Sequence, residues 1–415
     1  MNVELLAPAG SMEALKTALY FGADAVYCGG PLLQLRAGSA AFTFEELAEA
    51  AAFTHSLGKK LYVTVNSFAE NEEIGQLGDY ANRLCEVGAD AVIVSDLGVI
   101  AELREKCPRL PIHVSTQANC LNYRTANVYH AMGASRVVLG REMPLSAIEE
   151  MKGRLDPAME IEVFVHGAMC MAYSGRCLLS SFLANRSGNR GECAQTCRWV
   201  YRVVEEQRPG EYMPVTEDER GTYVFSARDL NLMPLLPDLC AAGVSSLKIE
   251  GRMKTEYYVA VVTAAYRRAL DLLAQGREAF DAALPELLAE LKCASHRMSD
   301  TGFLLGPPEK PAGATGFSQT REYVARALSD TEAGEPAEFL LKNRFRRGDA
   351  LELMTPDAVI AFEAPSFTLV STGETVDTHG IANAHILLRL PCRVRVGDIL
   401  RGPVRNHSRE EKEET

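Results

Sequence analysis

A chain of 415 residues exceeds one ordinary domain, since domains run to about 100–200 residues and single α/β barrels to about 250, so two or three domains are expected. Its 47% hydrophobic and 24% charged residues belong to a soluble globular chain with a sizeable core and exclude extensive disorder. A net charge of −12 excludes a protein that coats nucleic acid through global charge, because phosphate neutralisation needs Lys and Arg, but leaves room for a local basic patch. The opening MNVELLAPAG carries no basic segment, and no apolar run reaches the roughly 18 residues of a membrane span, so a cytoplasmic location with no membrane partner is the expectation. Eleven cysteines in that compartment suit metal binding or catalysis by a subset better than a disulfide framework.

Along the chain, one phrase recurs: a Gly-containing turn and then a short β-branched run. It stands at Gly22–Tyr27, Gly88–Ile93, Gly133–Val138 and Gly243–Lys248, and each instance reads as a helix passing through a Gly cap into a buried parallel strand. Eight strands follow: Glu4–Pro8, Ala25–Cys28, Lys60–Val65, Ala91–Ser95, Ile112–Ser115, Arg136–Leu139, Ile161–Val165 and Ser246–Ile249. Helical spacing fills Thr43–Leu57, Glu70–Val87, Leu97–Lys106, Asn122–Met132 and Leu145–Met151, and beyond the eighth strand Thr255–Gln275 and Pro285–Lys292. The α/β count is that of a TIM-like (β/α)8 barrel over residues 1–306; a doubly wound open sheet shares the same local pattern. In a barrel, chemistry sits on the loops after the strands, here Ala9-Gly10, Gly29-Gly30, Asn66, Asp96, Gln117, Arg141-Glu142, His166-Gly167 and Glu250-Gly251-Arg252.

Residues 165–201 form an enlarged loop after the seventh strand, and 202–226 a charged insertion read as an exposed hairpin. The Pro/Gly-rich 306–316 segment marks a boundary. Beyond it, Tyr323–Leu328, Pro336–Leu341, Ala350–Leu353, Ala361–Glu363, Ile386–Arg389 and Val394–Val396 read as strands of a small β-barrel domain over 307–405, and 406–415 as a solvated charged tail. Within that domain Lys342–Arg347 sets four cations around Phe345, a pattern suited to phosphate contact and base stacking or simply to a charged turn.

The enlarged loop holds Cys170, Cys177, Cys193 and Cys197, with six, fifteen and three residues between successive members. Thiolates are soft ligands that select zinc, copper or iron–sulfur clusters. The zinc-ribbon template wants two close cysteine pairs and fits poorly, whereas iron–sulfur clusters accept wider spacings; zinc and unligated thiols stay open on spacing alone. Arg176, Arg186, Asn189, Arg190, Gln195 and Arg198 stand among the thiols, where guanidinium forks suit carboxylate or phosphate. Of the other seven cysteines, Cys28, Cys85, Cys107, Cys120, Cys240, Cys293 and Cys392, most read as small buried hydrophobes.

The phrases ELLAPAGSMEALKTALYFGADAVYCGG, HVSTQANCLN, VVLGREMPL, HGAMCMAYSGRCLLSS, NRGECAQTCRWVY and LKIEGRMK occur in that order and resemble the collagenase-like family labelled peptidase U32. A barrel with one small C-terminal β-domain looks most like its branch of prephenate-dependent tRNA uridine hydroxylases. That resemblance implies hydroxylation of the wobble uridine to 5-hydroxyuridine and a [4Fe–4S] cluster on Cys170, Cys177, Cys193 and Cys197. It also implies tRNA and prephenate as partners and a possible paralogous partner protein. His166 and Glu250 are the acid–base candidates, and Arg186, Arg190, Gln195, Arg198, Arg252, Glu142 and Gln117 the substrate-binding ones. Three other readings compete: a U32-type peptidase with a Cys170–His166 pair, a hydroxylase of another RNA or of a quinone precursor, and a zinc-stabilised RNA-binding module. There is no H-E-x-x-H helix or G-x-S-x-G elbow to support proteolysis.

Overall fold

The recurrent Gly phrases act as the sequence suggests. Gly22, Gly88, Gly133 and Gly243 each follow a helix end with positive φ (98°, 90°, 95° and 78°), where a side chain would be strained, and each feeds a strand buried on both faces. The structure, a computed structural model, describes residues 3–35, 41–170, 172–199, 216–218, 221–223, 228–306 and 317–405.

Eight parallel strands, Glu4–Pro8, Ala25–Gly29, Lys60–Val65, Ala91–Val94, Ile112–Val114, Ala134–Val138, Glu160–Ala168 and Ser246–Ile249, pair in sequence order. The eighth pairs with both the first (Leu6↔Lys248) and the seventh (Lys248↔Phe164), so the sheet closes into a TIM-like barrel and the open-sheet alternative is excluded. Inside, Leu6, Ala25, Tyr27, Tyr62, Ala91 and Ile93 form an apolar cluster, while a much larger core lies between strands and helices.

Several elements differ from the sequence reading. Glu70–Val87 is two helices, Asn71–Ile74 and Leu77–Glu86, parted at Gly75-Gln76. The helix expected at Pro285 starts at Arg277 and carries the proline inside it. Asp229–Asn231, unassigned from sequence, is a short strand antiparallel to the end of the seventh strand (Leu230↔Gly167). Of the 202–226 insertion, Thr216–Asp218 and Gly221–Tyr223 pair antiparallel; its other residues, the 307–316 segment and the 406–415 tail lie outside the described residues.

The C-terminal unit is a curled antiparallel sheet of eight strands, ordered Val359–Glu363, Ala350–Met354, Ile399–Pro403, Arg321–Ala327, Pro336–Leu341, His385–Arg389, Phe367–Leu369 and Thr375–Val376. Val394–Val396 is not one of them: Val394 makes only an isolated bridge to Thr331, and the strand begins after the Gly397-Asp398 turn. Phe345 is also no stacking platform, being 1% exposed and packed on Phe367 at 4.6 Å between ring centroids. The sheet docks on the barrel through Tyr323 stacked on Tyr257, the Tyr20 hydroxyl on Asp398 Oδ1 (2.7 Å), and buried Arg401 gripping Glu290 and Glu352.

Candidate active site

The barrel floor is built of charge. Strand alternation points Glu4, Arg136, Glu162, Ser246 and Lys248 inward. Arg136 bonds Glu4 Oε1 (2.5 Å), Glu160 Oε2 (2.8 Å) and Glu162 Oε2 (3.1 Å), and Lys248 Nζ bonds Glu162 Oε1 at 2.8 Å. Burial alone would raise the Glu162 carboxyl, but Lys248 and Arg136 outweigh it and hold it at about 2. His113 stands edge-on to Tyr62 above this network, and burial together with the Arg136 charge lowers it to about 3.

Over the floor lies a cavity of about 70 Å³ walled by Thr64, Asn66, Gln117, Arg141, Lys248, Glu250 and Arg252, among others. Arg252 is held by Thr64 Oγ1 and Gln34 Oε1, both at 2.8 Å, and a Cβ on Gly29 would fall 2.0 Å from that Gln34 oxygen. Arg141 lies over the Phe164 ring at 4.9 Å and donates to the Ala168 carbonyl. Gln117, Arg141, Glu250 and Leu35 also wall a second cavity of about 260 Å³, so the two share one mouth. Together the walls carry Arg141, Arg186, Lys248 and Arg252 against a single carboxylate, Glu250. That balance suits an anionic ligand.

The second cavity is the cysteine site: Cys170, Cys177, Cys193 and Cys197 all line it, with Arg186 and Gln195. Cys177 Sγ accepts the Leu179 N–H (3.3 Å) and Cys193 Sγ the Gln195 N–H (3.4 Å). Backbone donors aimed at sulfur stabilise thiolate and tune iron–sulfur centres. Among the described residues no three His, Cys, Asp or Glu side chains gather as a metal ion requires. The four thiols share one cavity and two of them accept amide donors, a donor set whose chemistry suits zinc and iron–sulfur ligation alike. The loop is clamped to the loop after the third strand: Phe68 N donates to the Asn189 carbonyl, and Arg190 bonds the Phe68 carbonyl and both oxygens of Glu73.

The remaining sequence candidates are placed elsewhere. Arg190 is engaged by Glu73 and Glu70 and faces neither cavity. Glu142 accepts both the backbone N–H and the hydroxyl of Ser174, holding that residue at φ 42°, so it shapes the loop. His166 is 6% exposed, packed beside Tyr258 and Tyr266, lines neither cavity, and leaves Nδ1 without a hydrogen bond; the Cys170–His166 pair does not form. Burial lowers it to about 4, with Asp229 opposing and His296 and Lys254 assisting. Its carbonyl nevertheless accepts the Glu250 N–H (2.9 Å), the Tyr258 hydroxyl donates to the Glu250 carbonyl (3.0 Å), and Gly167 at φ 108° lets that carbonyl approach. Arg198 lies in the Thr196–Arg198 turn, its side chain outside the described residues. Arg141, read from sequence as a rim residue without a role, and Lys248, absent from the sequence candidates, are wall residues; the signal for Lys248 was a charge alternating with apolar neighbours in Ser246–Ile249. No helix among the described residues is long and apolar enough to cross a membrane.

Comparison with known proteins is consistent with this layout. The chain is 39% identical to the Escherichia coli (strain K12) tRNA hydroxylation protein P, over 86% of this chain and 87% of that one. It is 38% identical to the Bacillus subtilis (strain 168) tRNA hydroxylation protein P1, over 85% and 84%. It is 36% identical to the Escherichia coli (strain K12) 23S rRNA 5-hydroxycytidine C2501 synthase, over 66% of this chain and 40% of that one. The profile of Peptidase family U32 matches residues 10–313, and with that span the chain belongs to peptidase family U32.

Proposed function

We propose that the chain is an RNA-modifying enzyme that hydroxylates the wobble uridine of tRNA to 5-hydroxyuridine, using a [4Fe–4S] cluster and prephenate. The observation that carries this is the shared mouth: four thiols on one wall and an arginine-rich pocket with one carboxylate on the other. Relatives named for tRNA hydroxylation and rRNA hydroxycytidine synthesis support RNA as the substrate class.

Cys170, Cys177, Cys193 and Cys197 would hold the cluster, which when bound supplies one-electron chemistry or an open iron site. Arg141 and Arg252 suit the carboxylates of prephenate, because each guanidinium is fixed by a neighbouring acceptor before ligand arrives. Replacing C5–H of uridine by C5–OH is a two-electron oxidation, for which prephenate would be the oxygen donor and electron acceptor, and it also needs a base for the departing proton. Glu250, the one carboxylate in the described walls, would be that base, which its backbone contacts with His166 and Tyr258 support.

Nucleoside mass spectrometry on tRNA from a deletion strain tests the reading. Wild-type chain should restore 5-hydroxyuridine; Cys193→Ala and Glu250→Gln should not. Protein purified without air should contain iron and sulfide, and a colourless product with stoichiometric zinc would sink the redox mechanism. A peptidase would instead cleave gelatin and lose that activity with Cys193→Ala.

A further inference from the structure

The outer lip of the cysteine cavity is apolar. Tyr173, Leu178, Phe182, Leu183, Trp199 and Met253 are all exposed large hydrophobics in this one region, and Phe182, at 82%, is more exposed than any other on the described surface. Single exposed hydrophobics are ordinary, but five on the loop that carries the cysteines, with Met253 lining the cavity itself, single out this loop as a candidate binding surface. The helix that carries Phe182, Leu179–Ala184, is firmly seated: Leu179 and Ser180 line the cavity, and the buried Ser180 hydroxyl accepts the Ala194 N–H at 2.9 Å. Phe182 is therefore presented outward by a pinned backbone.

Cations flank it. Arg186 is exposed, lines the cavity, and its guanidinium makes no hydrogen bond or ion pair among the described residues. Arg176, also exposed, has one hydrogen bond there, from Nε to the Gln117 carbonyl. An exposed aromatic on a loop that also exposes two guanidinium groups, one of them lining the cavity, matches single-stranded nucleic acid, whose bases stack while its phosphates track positive charge. A protein partner would use the apolar lip without needing the cations.

We propose that Phe182 is the stacking platform for a loop base next to the target nucleotide, with Arg186 and Arg176 holding the flanking phosphates. This rests on the RNA reading above and adds to it the residues that grip the loop. Phe182 is a positioning residue: it orders the loop so that the target base can enter the cavity.

The test uses the full-length chain and a stem-loop RNA with 2-aminopurine beside the target uridine. Wild-type protein should bind it and quench its fluorescence by stacking. Phe182→Ala should bind about tenfold more weakly without quenching, within the range seen for alanine at base-stacking platforms, and Phe182→Trp should restore both. Phe182→Leu, which keeps apolar area but not the π face, should behave like alanine. Arg186→Gln should reduce the slope of log K against log salt by about 0.7, the value for one phosphate contact on a single strand. In turnover, Phe182→Ala should raise KM more than it lowers kcat. Wild-type binding that Phe182→Ala leaves intact, with unchanged quenching, overturns this inference alone, as does an Ala variant that alters only protein assembly by light scattering. Failure of the wild type to bind the loop at all overturns the RNA reading and this inference with it.

Discussion

Two buried histidines make the barrel sensitive to mild acid. His113 and His166 are 5% and 6% exposed, and burial lowers them to about 3 and about 4. An unfolded histidine titrates near ~6.5, so the folded chain binds fewer protons than the unfolded one as pH falls through that value. The stability these groups protect is fully present above pH ~6.5 and is lost as pH drops toward their folded values. Between pH 7.5 and 5.0 the linkage relation gives a loss of about 2 kcal/mol for each, about 4 kcal/mol together. Glu162 does not interfere: its lowered value means its contribution is lost only below the ordinary carboxylate range, toward about 2. All described helices fall within residues 12–291, so ellipticity at 222 nm during urea unfolding reports the barrel and not the C-terminal sheet. His113→Gln and His166→Gln should each lower stability at pH 7.5 yet shrink the difference between the two pH values by about 2 kcal/mol. If both variants keep the wild-type pH difference, the histidines are not buried in neutral form and the reasoning fails.

Three further outcomes follow from the contacts. Glu162→Gln removes the carboxylate shared by Lys248 and Arg136 and should cost roughly 3–5 kcal/mol, the usual penalty for a buried charge left without its partner, read as a lower urea midpoint. Glu73→Gln breaks the two-pronged contact that ties Arg190, and with it the cysteine loop, to the barrel. Because the pair is partly exposed it should cost under about 1 kcal/mol in global stability, while alkylation of Cys177 and Cys193 should speed up several-fold, measured by mass spectrometry. Arg401→Ala removes the guanidinium that Glu290 and Glu352 share at the junction of barrel and C-terminal sheet, leaving Glu352 to Arg321 on its own side. The two units should then part, with a larger radius by X-ray scattering and new proteolytic cleavage near residue 310 at unchanged helical content.

The barrel strands were legible because a fully buried parallel strand reads as a short β-branched run, and here four of the eight followed the recurrent Gly cap. Asp229–Asn231 was not, since three residues of Asp-Leu-Asn carry no period and are held in place by the seventh strand on one side and Ser299–Asp300 on the other. The four cysteines were legible as a set because Gly, Ser and Asn separate them instead of a helical apolar period, and all four line one cavity. His166 was misplaced for a specific reason. The seventh strand runs on to Ala168, and its pairing with the eighth slips by one residue between Lys248 and Ile249. A bulge re-aims side chains, so the alternation that points Phe164 into the cavity turns His166 out toward Tyr258 and Tyr266 instead. No rule of period two can foresee such a slip.

The same slip sets the position of Glu250, the proposed base. With His166 turned outward, what it brings to the mouth is its carbonyl, which receives the Glu250 N–H while Tyr258 binds the Glu250 carbonyl. Glu250 is thus fixed at the point where the two cavities meet, and it belongs to both walls. The Lys248 charge is answered from below by Glu162, so Lys248 helps to hold the floor rather than adding a loose cation. The arginines, not the lysine, then set the sign of the mouth, and this is how a chain of net charge −12 presents an anion-accepting site. An anionic nucleic acid would be excluded by the surface at large and admitted at the arginine-bearing lip, so binding should be local, salt-sensitive and confined to a loop small enough to reach it.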